Sequence, residues 1–316
     1  MSVQTEFWTN DIEENLYPDN SFAKFAKQTI KQYIQGKVVH IRQAGVQPNV
    51  VIDRVTIPAT STRRVDTDLI FAIQSFTTDP VTIRNEELNF ETQDKIRSVL
   101  YDHVEALSEA VHDNLAFSWL ASRAINPALG NASSATPAAA VIRTSGSNIV
   151  AHLTGATGNR KMFTYADLLS AKKTLDTQKI VKTGRYALLT PDMIQQLLLD
   201  PALQGFRNTA VVDNVNGAFN QKIAGFTILE RVKTAIYDNS ATPVVKAVGA
   251  AASTADNDCV MCWQENCVEN AQGSIDFFEI QKSALSYGNI YSTELFAGGT
   301  KRRKDGKGII AIVQTP

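Results

Sequence analysis

The longest regular pattern of apolar and polar positions in the chain is a helical one. Residues 87–124 contain no glycine or proline, and apolar side chains recur there at steps of three and four. This spacing predicts one α-helix of roughly 50 Å at 1.5 Å per residue, ended by Pro127 and Gly130. Because such a rod is too long for the inside of a compact domain of this size, we expect it to lie across a flat molecule. Its apolar stripe consists of Ile96, Leu100, Val104, Leu107, Val111, Leu115 and Trp119.

Two other patterns come before this helix. Residues 1–20 show no clear period and are predicted to form an extended arm. A short amphipathic helix is expected to follow, capped by Ser21 and ended by Gly36. Its basic residues are three and four positions apart and form a row on one face: Lys24, Lys27 and Lys31.

Residues 37–84 have the composition of β-strands. β-Branched residues occur in short runs that turn residues separate. Polar stretches between these runs are long, and the segment contains too few apolar residues to bury much surface by itself. We therefore expect a projecting β-hairpin that needs neighbours to cover it. The predicted strands lie at 38–41, 50–52, 54–57, 69–73 and 81–83.

Helix and strand signals alternate in the rest of the chain. Residues 127–160 are rich in small and polar residues, which predicts a loop with short strands near 140–142 and 149–150. Thr164 and Asp167 have capping-box spacing, and Thr190 followed by Pro191 predicts the start of another helix. The other predicted elements are a short helix at 263–271 and strands at 186–189, 223–232, 243–248, 275–280, 291–296 and 308–313.

Composition excludes some classes of function. The 316 residues are 44% hydrophobic and 20% charged, which is an ordinary globular balance, and the net charge of -1 does not point to a nucleic-acid or membrane partner. The longest apolar runs fall far short of the ~20 residues of a membrane span. The N-terminus is acidic where a signal peptide would need basic and apolar residues, so we expect a protein that is cytoplasmic when made or is handled later as part of a particle.

Candidate chemistry is sparse. Cys259, Cys262 and Cys267 resemble part of a zinc knuckle, but Gln272 stands where a fourth ligand would be needed, so packed thiols are favoured over a metal site. His103 and His112 are about 180° apart around the long helix at ~100° per residue, so they cannot share a site. The segment 155–161 hints at a phosphate loop but lacks the required spacing, which favours a surface loop.

Two charged groups have alternative interpretations. An acidic row on the long helix, Asp102, Glu105, Glu109 and Asp113, is either a solvated face or a contact for a neighbour's basic residues. The basic cluster at 301–307 is either a charged β-turn around Asp305 and Gly306 or a contact with DNA.

Several stretches resemble, in letters and in order, the major capsid proteins of tailed bacteriophages with the Hong Kong 97 fold. The resemblance covers essentially the whole chain. The similar segments are 36–41 (GKVVHI), 66–68 (DTD), 76–81 (FTTDPV), 185–191 (RYALLTP), 217–226 with IAGF at its end, 287–292 (YGNIYS) and 298–310 (GGTKRRKDGKGII).

The resemblance implies an α+β fold in which a β-hairpin, the E-loop, projects beside a long spine helix. A peripheral domain contains the spine helix, and an α/β axial domain surrounds the symmetry axis of the capsomer. The implied segments are an arm at 1–36, the E-loop and first peripheral strands at 37–85, the peripheral domain at 86–134, the axial domain at 135–260, and a return to the peripheral domain at 261–316.

The implied function is that of a self-assembling subunit of an icosahedral phage head around double-stranded DNA, with no enzymatic activity and no cofactor. Its implied partners are copies of itself in pentamers and hexamers, a separate scaffolding protein, portal and head-completion or decoration proteins, and packaged DNA bound without sequence specificity, but no membrane. The implied location is the virion, with assembly in the host cytoplasm. The expected interface residues are Trp8, Phe22, Lys24, Lys27, Lys31, Arg54, Arg63, Arg64, Asp102, Glu105, Glu109 and the apolar face of the spine helix.

Two departures from the family refine this expectation. No long charged helical segment comes before the arm, which implies that scaffolding is a separate protein. No lysine lies between Lys37 and Lys95, so the E-loop lysine that some family members join to a neighbour's asparagine is missing, and we expect a shell without such crosslinks. An encapsulin-like compartment shell and a metal- or nucleotide-dependent enzyme on residues 135–316 are the alternatives.

Overall fold

The computed structural model describes residues 15–29, 38–45, 47–59, 61, 63–85, 94–121, 140–204, 222–238 and 242–316. Trp8, Lys31 and both ends of the predicted long helix lie outside these residues. The described elements are β1 (Lys27–Gln28), β2 (Val38–Gln43), β3 (Thr67–Ala72), β4 (Gln74–Thr77), β5 (Val81–Arg84), α1 (Asp94–Leu120), β6 (Val141–Arg143), β7 (Asn148–Val150), β8 (Asn159–Lys161), α2 (Tyr165–Thr177), β9 (Arg185–Leu189), α3 (Pro191–Leu199), α4 (Pro201–Gln204), β10 (Thr227–Glu230), β11 (Cys259–Gln264), β12 (Val268–Ser283), β13 (Gly288–Lys301) and β14 (Ile309–Val313).

The long helix α1 is the described part of the predicted spine. Its 27 residues span about 40 Å. Of the predicted stripe, the C-terminal half is buried, from Leu107 to Trp119, whereas Ile96, Leu100 and Val104 are only half-buried. The helix therefore packs against its own subunit through one half of its apolar face.

The first sheet has the strand order β1-β12-β13-β4, and β5 also pairs with β13. Helix α1 packs against β13, where Gly299 permits a close approach. A Cβ atom at this position would lie 2.1 Å from Cδ1 of Leu115. Leu295 and Ala297 pack against Leu107 and Val111 on the same face. The sheet and the helix thus form one layered unit.

The second sheet has the strand order β10-β9-β11-β14-β6. Its two central strands, β11 and β14, are buried along their whole length. One face packs towards α1 and the other is covered by α2 and α3, so both faces need apolar residues. This explains the continuous apolar sequence of β14. β14 belongs to this second sheet, whereas β12 and β13 belong to the first, and the division of the chain into peripheral and axial domains stays a prediction.

The predicted hairpin at 37–85 exists as the antiparallel pair β2 and β3, joined by the loop 44–66. The described residues 47–59 of this loop contain no strand, so the predicted strands at 50–52 and 54–57 are wrong for the single chain. The hairpin packs on the first sheet through Phe71 and Ala271.

Three other predicted elements differ from the structure. The described part of the helix predicted from Ser21 is a single 3-10 turn, Ser21–Phe25, followed by β1. The helix predicted at 263–271 is a three-residue 3-10 turn between β11 and β12, because strand pairing with β13 dominates the local preference. Residues 243–248 form one isolated bridge, at Val245. None of the described helices is both long and apolar enough to cross a membrane.

Candidate functional site

An aromatic cluster joins the two sheets to α1. The indoles of Trp119 and Trp263 have centroids 5.4 Å apart, and the ring of Phe22 stands edge-on to both at 5.7 and 6.3 Å. Trp119 donates its indole N–H to the backbone oxygen of Glu269 at 3.1 Å, and Trp263 donates to that of Phe25 at 2.9 Å. The helix, the first sheet and the second sheet therefore share one core at this point.

Phe22 was predicted to contact a neighbouring subunit, and the structure places it inside its own. Its side chain is 1% exposed because the 3-10 turn packs it edge-on against both indoles. Arg231 covers the other side of the ring at 5.6 Å. The prediction for Phe22 is therefore corrected: this residue anchors the N-terminal segment to its own core.

Arg231 is a buried cation that ties three segments together. Its guanidinium lies 2.6 Å from the carboxylate of Asp113 on α1 and donates to Asn20 at 3.1 Å and to the backbone oxygen of Lys233 at 2.9 Å. Buried arginines need this degree of pairing to offset the loss of hydration. The N-terminal segment, the spine and the residues after β10 are thus held in one arrangement.

The acidic row on α1 is engaged within the chain. Asp102 accepts hydrogen bonds from Asn15 at 3.0 Å and from the Tyr17 hydroxyl at 3.1 Å, and burial together with this carboxylate raises the pKa of Tyr17 to about 12. Glu109 pairs with Lys233. The row is therefore largely an intramolecular docking surface, a third possibility beside the solvated face and the neighbour contact. Glu105 is half-buried and has no hydrogen bond or ion pair among the described residues.

The loop 44–66 presents charge and apolar surface together. Arg54 and Arg63 are exposed and have no ion-pair partner among the described residues, whereas Arg64 donates to Asp66 through Nε at 2.6 Å. Four apolar side chains of the loop are between 83% and 95% exposed: Val50, Ile52, Val55 and Ile57. A loop with this much unburied apolar surface is a candidate contact with another molecule.

The remaining predicted basic residues are on the surface. Lys24 follows the buried Phe22 and Ala23 in the 3-10 turn, and Lys27 lies in β1, at the edge of the first sheet. Both side chains are exposed. They are therefore placed where a neighbour could contact them, and their interface role stays a prediction.

One exposed apolar surface was not predicted. The hairpin of β12 and β13 extends beyond the part of the first sheet that α1 covers, and Phe277, Phe278 and Ile280 are 52–59% exposed there, with Leu285 in its turn. The signal in the sequence is the run from 276 to 280, Asp-Phe-Phe-Glu-Ile, which puts large apolar residues on both faces of one strand.

A buried carboxylate organises the second sheet. Asp258 accepts from the backbone N–H of Cys259 at 2.8 Å and from the hydroxyl of Thr190 at 2.6 Å, and the hydroxyl of Thr234 lies 2.8 Å away. His152 Nε2 lies 3.0 Å from Oδ2 of Asp258, the oxygen that also accepts from Thr190. Burial opposes the charge of His152, but the carboxylate of Asp258 prevails and raises the pKa of the imidazole. Four separate segments are thus fixed around one charge.

The three cysteines do not converge on a metal. Cys259 packs in the core beside α1, and Cys262, three positions along the same strand, packs in the core on the opposite face. Burial raises the pKa of all three thiols, including that of Cys267. Among the described residues, no group of three or more His, Cys, Asp or Glu side chains could hold a metal ion.

The other two candidate motifs are structural elements. The segment 155–161 leads into β8, and Arg160 is buried there and donates to four backbone oxygens around it, including that of Thr254 at 3.1 Å. The cluster at 301–307 is a turn, closed by a bond from the N–H of Gly306 to the oxygen of Arg303 at 3.0 Å. Lys301 is buried, which lowers its pKa to about 8.

Comparison with solved structures identifies the fold. The capsid of cyanophage Pam1 superposes with a TM-score of 0.69 and 13% identity, over 98% of this chain and 96% of that one. The capsid of cyanophage P-SCSP1u gives a TM-score of 0.64 and 14% identity over 98% and 92% of the two chains, and that of Ralstonia phage GP4 gives 0.63 and 13% over 99% and 95%. No protein-family model and no curated protein matches the sequence.

The chain therefore has the α+β fold of tailed-phage capsid proteins, which the sequence resemblance implied. The similarity includes nearly the full length of both partners in each comparison, so the hairpin, the long helix and both sheets belong to one fold. At 9–14% identity the likeness concerns the backbone arrangement and not individual side chains.

Proposed function

We propose that the chain is the major capsid protein of a tailed bacteriophage, a structural subunit without catalysis that encloses the double-stranded DNA genome. The observation that carries the proposal is the match of nearly the whole chain to phage capsid structures. The surface supports it as well, because apolar side chains of the loop 47–59 and of the β12–β13 hairpin lack cover within the described chain.

The proposed mechanism is mechanical. The aromatic cluster and Arg231 join the spine, the N-terminal segment and both sheets into a stiff subunit. The exposed loop and hairpin gain their burial only when other copies cover them. Each copy carries both surfaces, so a contact between unlike surfaces can repeat from one subunit to the next. A closed, symmetric assembly results when the rotation that relates successive copies returns to the first copy.

The proposed interface residues follow from their placement. The residues available to neighbours are Lys24, Lys27, Arg54, Arg63 and the half-buried end of the spine stripe. Asp102 and Glu109 contribute by holding their own subunit together.

The proposed partners are further copies in pentamers and hexamers, a separate scaffolding protein, portal and head-completion or decoration proteins, and DNA bound without sequence specificity. The proposed location is the virion, with assembly in the host cytoplasm.

Reversal of the charges on Arg63 and Arg64 is expected to lower the yield of particles several-fold. Exposed pairs contribute only about 0–1 kcal/mol each, but the loss is repeated at every subunit contact of the shell. The measurement is particle yield from Arg63→Glu/Arg64→Glu by gradient sedimentation, with circular dichroism to confirm an unchanged subunit. The control is Lys173→Glu/Lys182→Glu, which changes net charge equally. Unchanged yield, or equal loss in both variants, would refute the prediction.

Sedimentation velocity tests the proposed function itself. The purified protein, co-produced with the proposed scaffolding protein, is expected to sediment as particles of about sixty copies or more, since icosahedral closure requires that number. A 34.6 kDa species that persists with and without the scaffolding protein would contradict the proposal.

A further inference from the structure

The fold brings together two segments that are rich in basic residues and far apart in the sequence. Residues 178–184 follow α2, and residues 302–308 connect β13 to β14. The two meet where the N–H of Gly308 donates to Oε1 of Gln178 at 2.9 Å. The 3-10 turn Glu265–Cys267 contacts both segments through backbone hydrogen bonds of 2.8 and 3.0 Å. These segments therefore form one contiguous part of the surface, which we call the basic surface.

The basic surface has an excess of exposed cations. Its one exposed carboxylate, Asp305, is shared by Arg303 at 3.0 Å and Lys307 at 3.3 Å within the turn. Lys179 and Lys182 have no ion-pair partner among the described residues. Five exposed cations against one exposed carboxylate leave a net charge of +4. The five are Lys179, Lys182, Arg303, Lys304 and Lys307.

Acidic residues close to this surface do not neutralise it. Asp176 lies 2.8 Å from the buried Arg185, and Glu269 lies 2.9 Å from Arg302, so both charges are already paired. Glu265 is half-buried. The net charge of the whole chain is only -1, so the excess of cations is local. A local cluster of lysine and arginine is the electrostatic footprint of a surface that binds a polyanion.

The composition of the basic surface favours nucleic acid over protein as its partner. Interfaces between proteins have an apolar centre and are depleted in lysine, whereas interfaces with DNA are more polar and strongly positive. Val181 is the one large apolar side chain that is exposed in these segments, all of which the structure describes. Lysine and arginine contacts to phosphates carry no sequence information, which agrees with a partner that is bound irrespective of sequence.

We infer that the basic surface binds the phosphate backbone of double-stranded DNA and therefore belongs to the inner face of the shell. The inference rests on the proposed capsid function and adds which side of the subunit meets the genome. The contact is electrostatic, because each cation that reaches a phosphate releases a condensed counterion from the DNA. A weak contact of each subunit is sufficient, since the many copies of a shell act on the same DNA molecule.

Binding of unassembled subunits to a short fluorescent DNA duplex of arbitrary sequence tests the contact. Fluorescence anisotropy over a range of salt concentrations compares the wild type with Lys179→Gln/Arg303→Gln. We expect the dissociation constant of the variant at low salt to rise about tenfold, because two phosphate contacts are lost. The slope of log K against log salt is expected to become shallower by about two. An unchanged dissociation constant and slope would overturn the inference.

A matched control removes the same two charges at another location. Lys282 and Arg84 are exposed at the opposite end of the β12–β13 hairpin, roughly 40 Å along the strands from the basic surface. Lys179 and Lys282 both have a left-handed backbone, with φ of 59° and 51°, so the two variants have equal backbone strain. Lys282→Gln/Arg84→Gln is expected to bind the duplex like the wild type. Equal weakening in both variants would show an effect of net charge alone and overturn the inference.

Closed particles test the assignment to the inner face. DNA added to preformed particles is expected to show no difference between the wild type and Lys179→Gln/Arg303→Gln, because the basic surface is then enclosed. If the variant particles bound the added DNA more weakly than the wild-type particles, the surface would lie outside and the assignment would be wrong.

The two proposals fail in different ways. Particles that form normally from subunits whose DNA affinity does not depend on the basic surface overturn this inference and leave the shell function standing. A variant that binds DNA like the wild type but no longer recruits the scaffolding protein would assign the surface to an acidic protein and overturn the inference as well. A chain that stays monomeric under every condition overturns the shell function and the inner-face assignment together.

Discussion

Replacement of Trp119 by alanine is expected to lower the free energy of unfolding of the subunit by about 3–5 kcal/mol. The indole is fully buried, contacts Phe22 and Trp263, and donates the hydrogen bond to Glu269 that ties α1 to β12. Its loss leaves a cavity where the spine and the two sheets meet. Chemical denaturation of unassembled subunits, followed by far-ultraviolet circular dichroism, measures the effect.

Two variants of the same helix serve as controls. Trp119→Phe keeps most of the volume but loses the N–H donor, so a smaller loss is expected. Tyr101→Ala removes an aromatic that is 41% exposed, and we expect a change below about 1 kcal/mol. If Trp119→Ala were no more destabilising than Tyr101→Ala, the aromatic cluster would not be the junction that its burial indicates.

Replacement of Asp258 by alanine is expected to cost about 3–5 kcal/mol, the typical loss when one partner of a buried ion pair is removed. The change leaves His152, the hydroxyl of Thr190 and the backbone N–H of Cys259 without their acceptor. Thermal and chemical unfolding of the subunit measure it. Asp79→Ala, an exposed aspartate between β4 and β5, is the matched control. Equal losses in the two variants would contradict the role assigned to Asp258.

The same network predicts a pH dependence. The pKa of His152 is raised in the folded state, so its contribution to stability is complete below its unfolded pKa of about 6.5 and disappears as the pH rises through the folded pKa. The stability gap between the wild type and His152→Gln is therefore expected to shrink from pH 5.5 to pH 8.5. Burial lowers the pKa of His103 and His112 in the folded state, so acidification destabilises the wild type and the variant alike through these two residues. The difference in stability between the two proteins cancels this shared effect and therefore reports on His152. A gap that widens with pH would refute the assignment.

Elements with a local signal were predictable from the sequence. The spine helix follows from its apolar stripe, and its C-terminal half is buried as the stripe requires. The start of α2 follows from Thr164 and Asp167, whose reciprocal capping bonds are both present. Pro191 opens α3 at the predicted residue. In each case, residues close together in the sequence are enough to explain why the helix forms or where it begins.

Features that depend on distant pairing could not be predicted in this way. Residues 263–271 have a helical pattern, but pairing of β12 with β13 forces them into a turn and a strand. In the acidic row, Asp113 pairs with Arg231 and Glu109 pairs with Lys233, and both partners lie more than a hundred residues away along the chain. The sequence around Phe22 does not reveal whether this side chain faces a neighbouring subunit or its own core. Only the fold shows that it is buried in its own subunit.

The loop at 50–57 differs from both groups. Its β-branched sequence predicts strands, and the single chain contains none there. A strand needs a paired neighbour as well as β-branched residues, and residues 50–57 pair with no strand among the described residues. Residues of this kind are where a sequence-based prediction and a single-chain structure are expected to disagree.

Negative-stain electron microscopy of the protein, produced alone and together with the proposed scaffolding protein, tests the central claim most directly. The account predicts closed icosahedral particles, or sheets of five-fold and six-fold rings, in at least one of the two preparations. A compact monomer in both preparations, with the circular dichroism of a folded α+β protein, would contradict it.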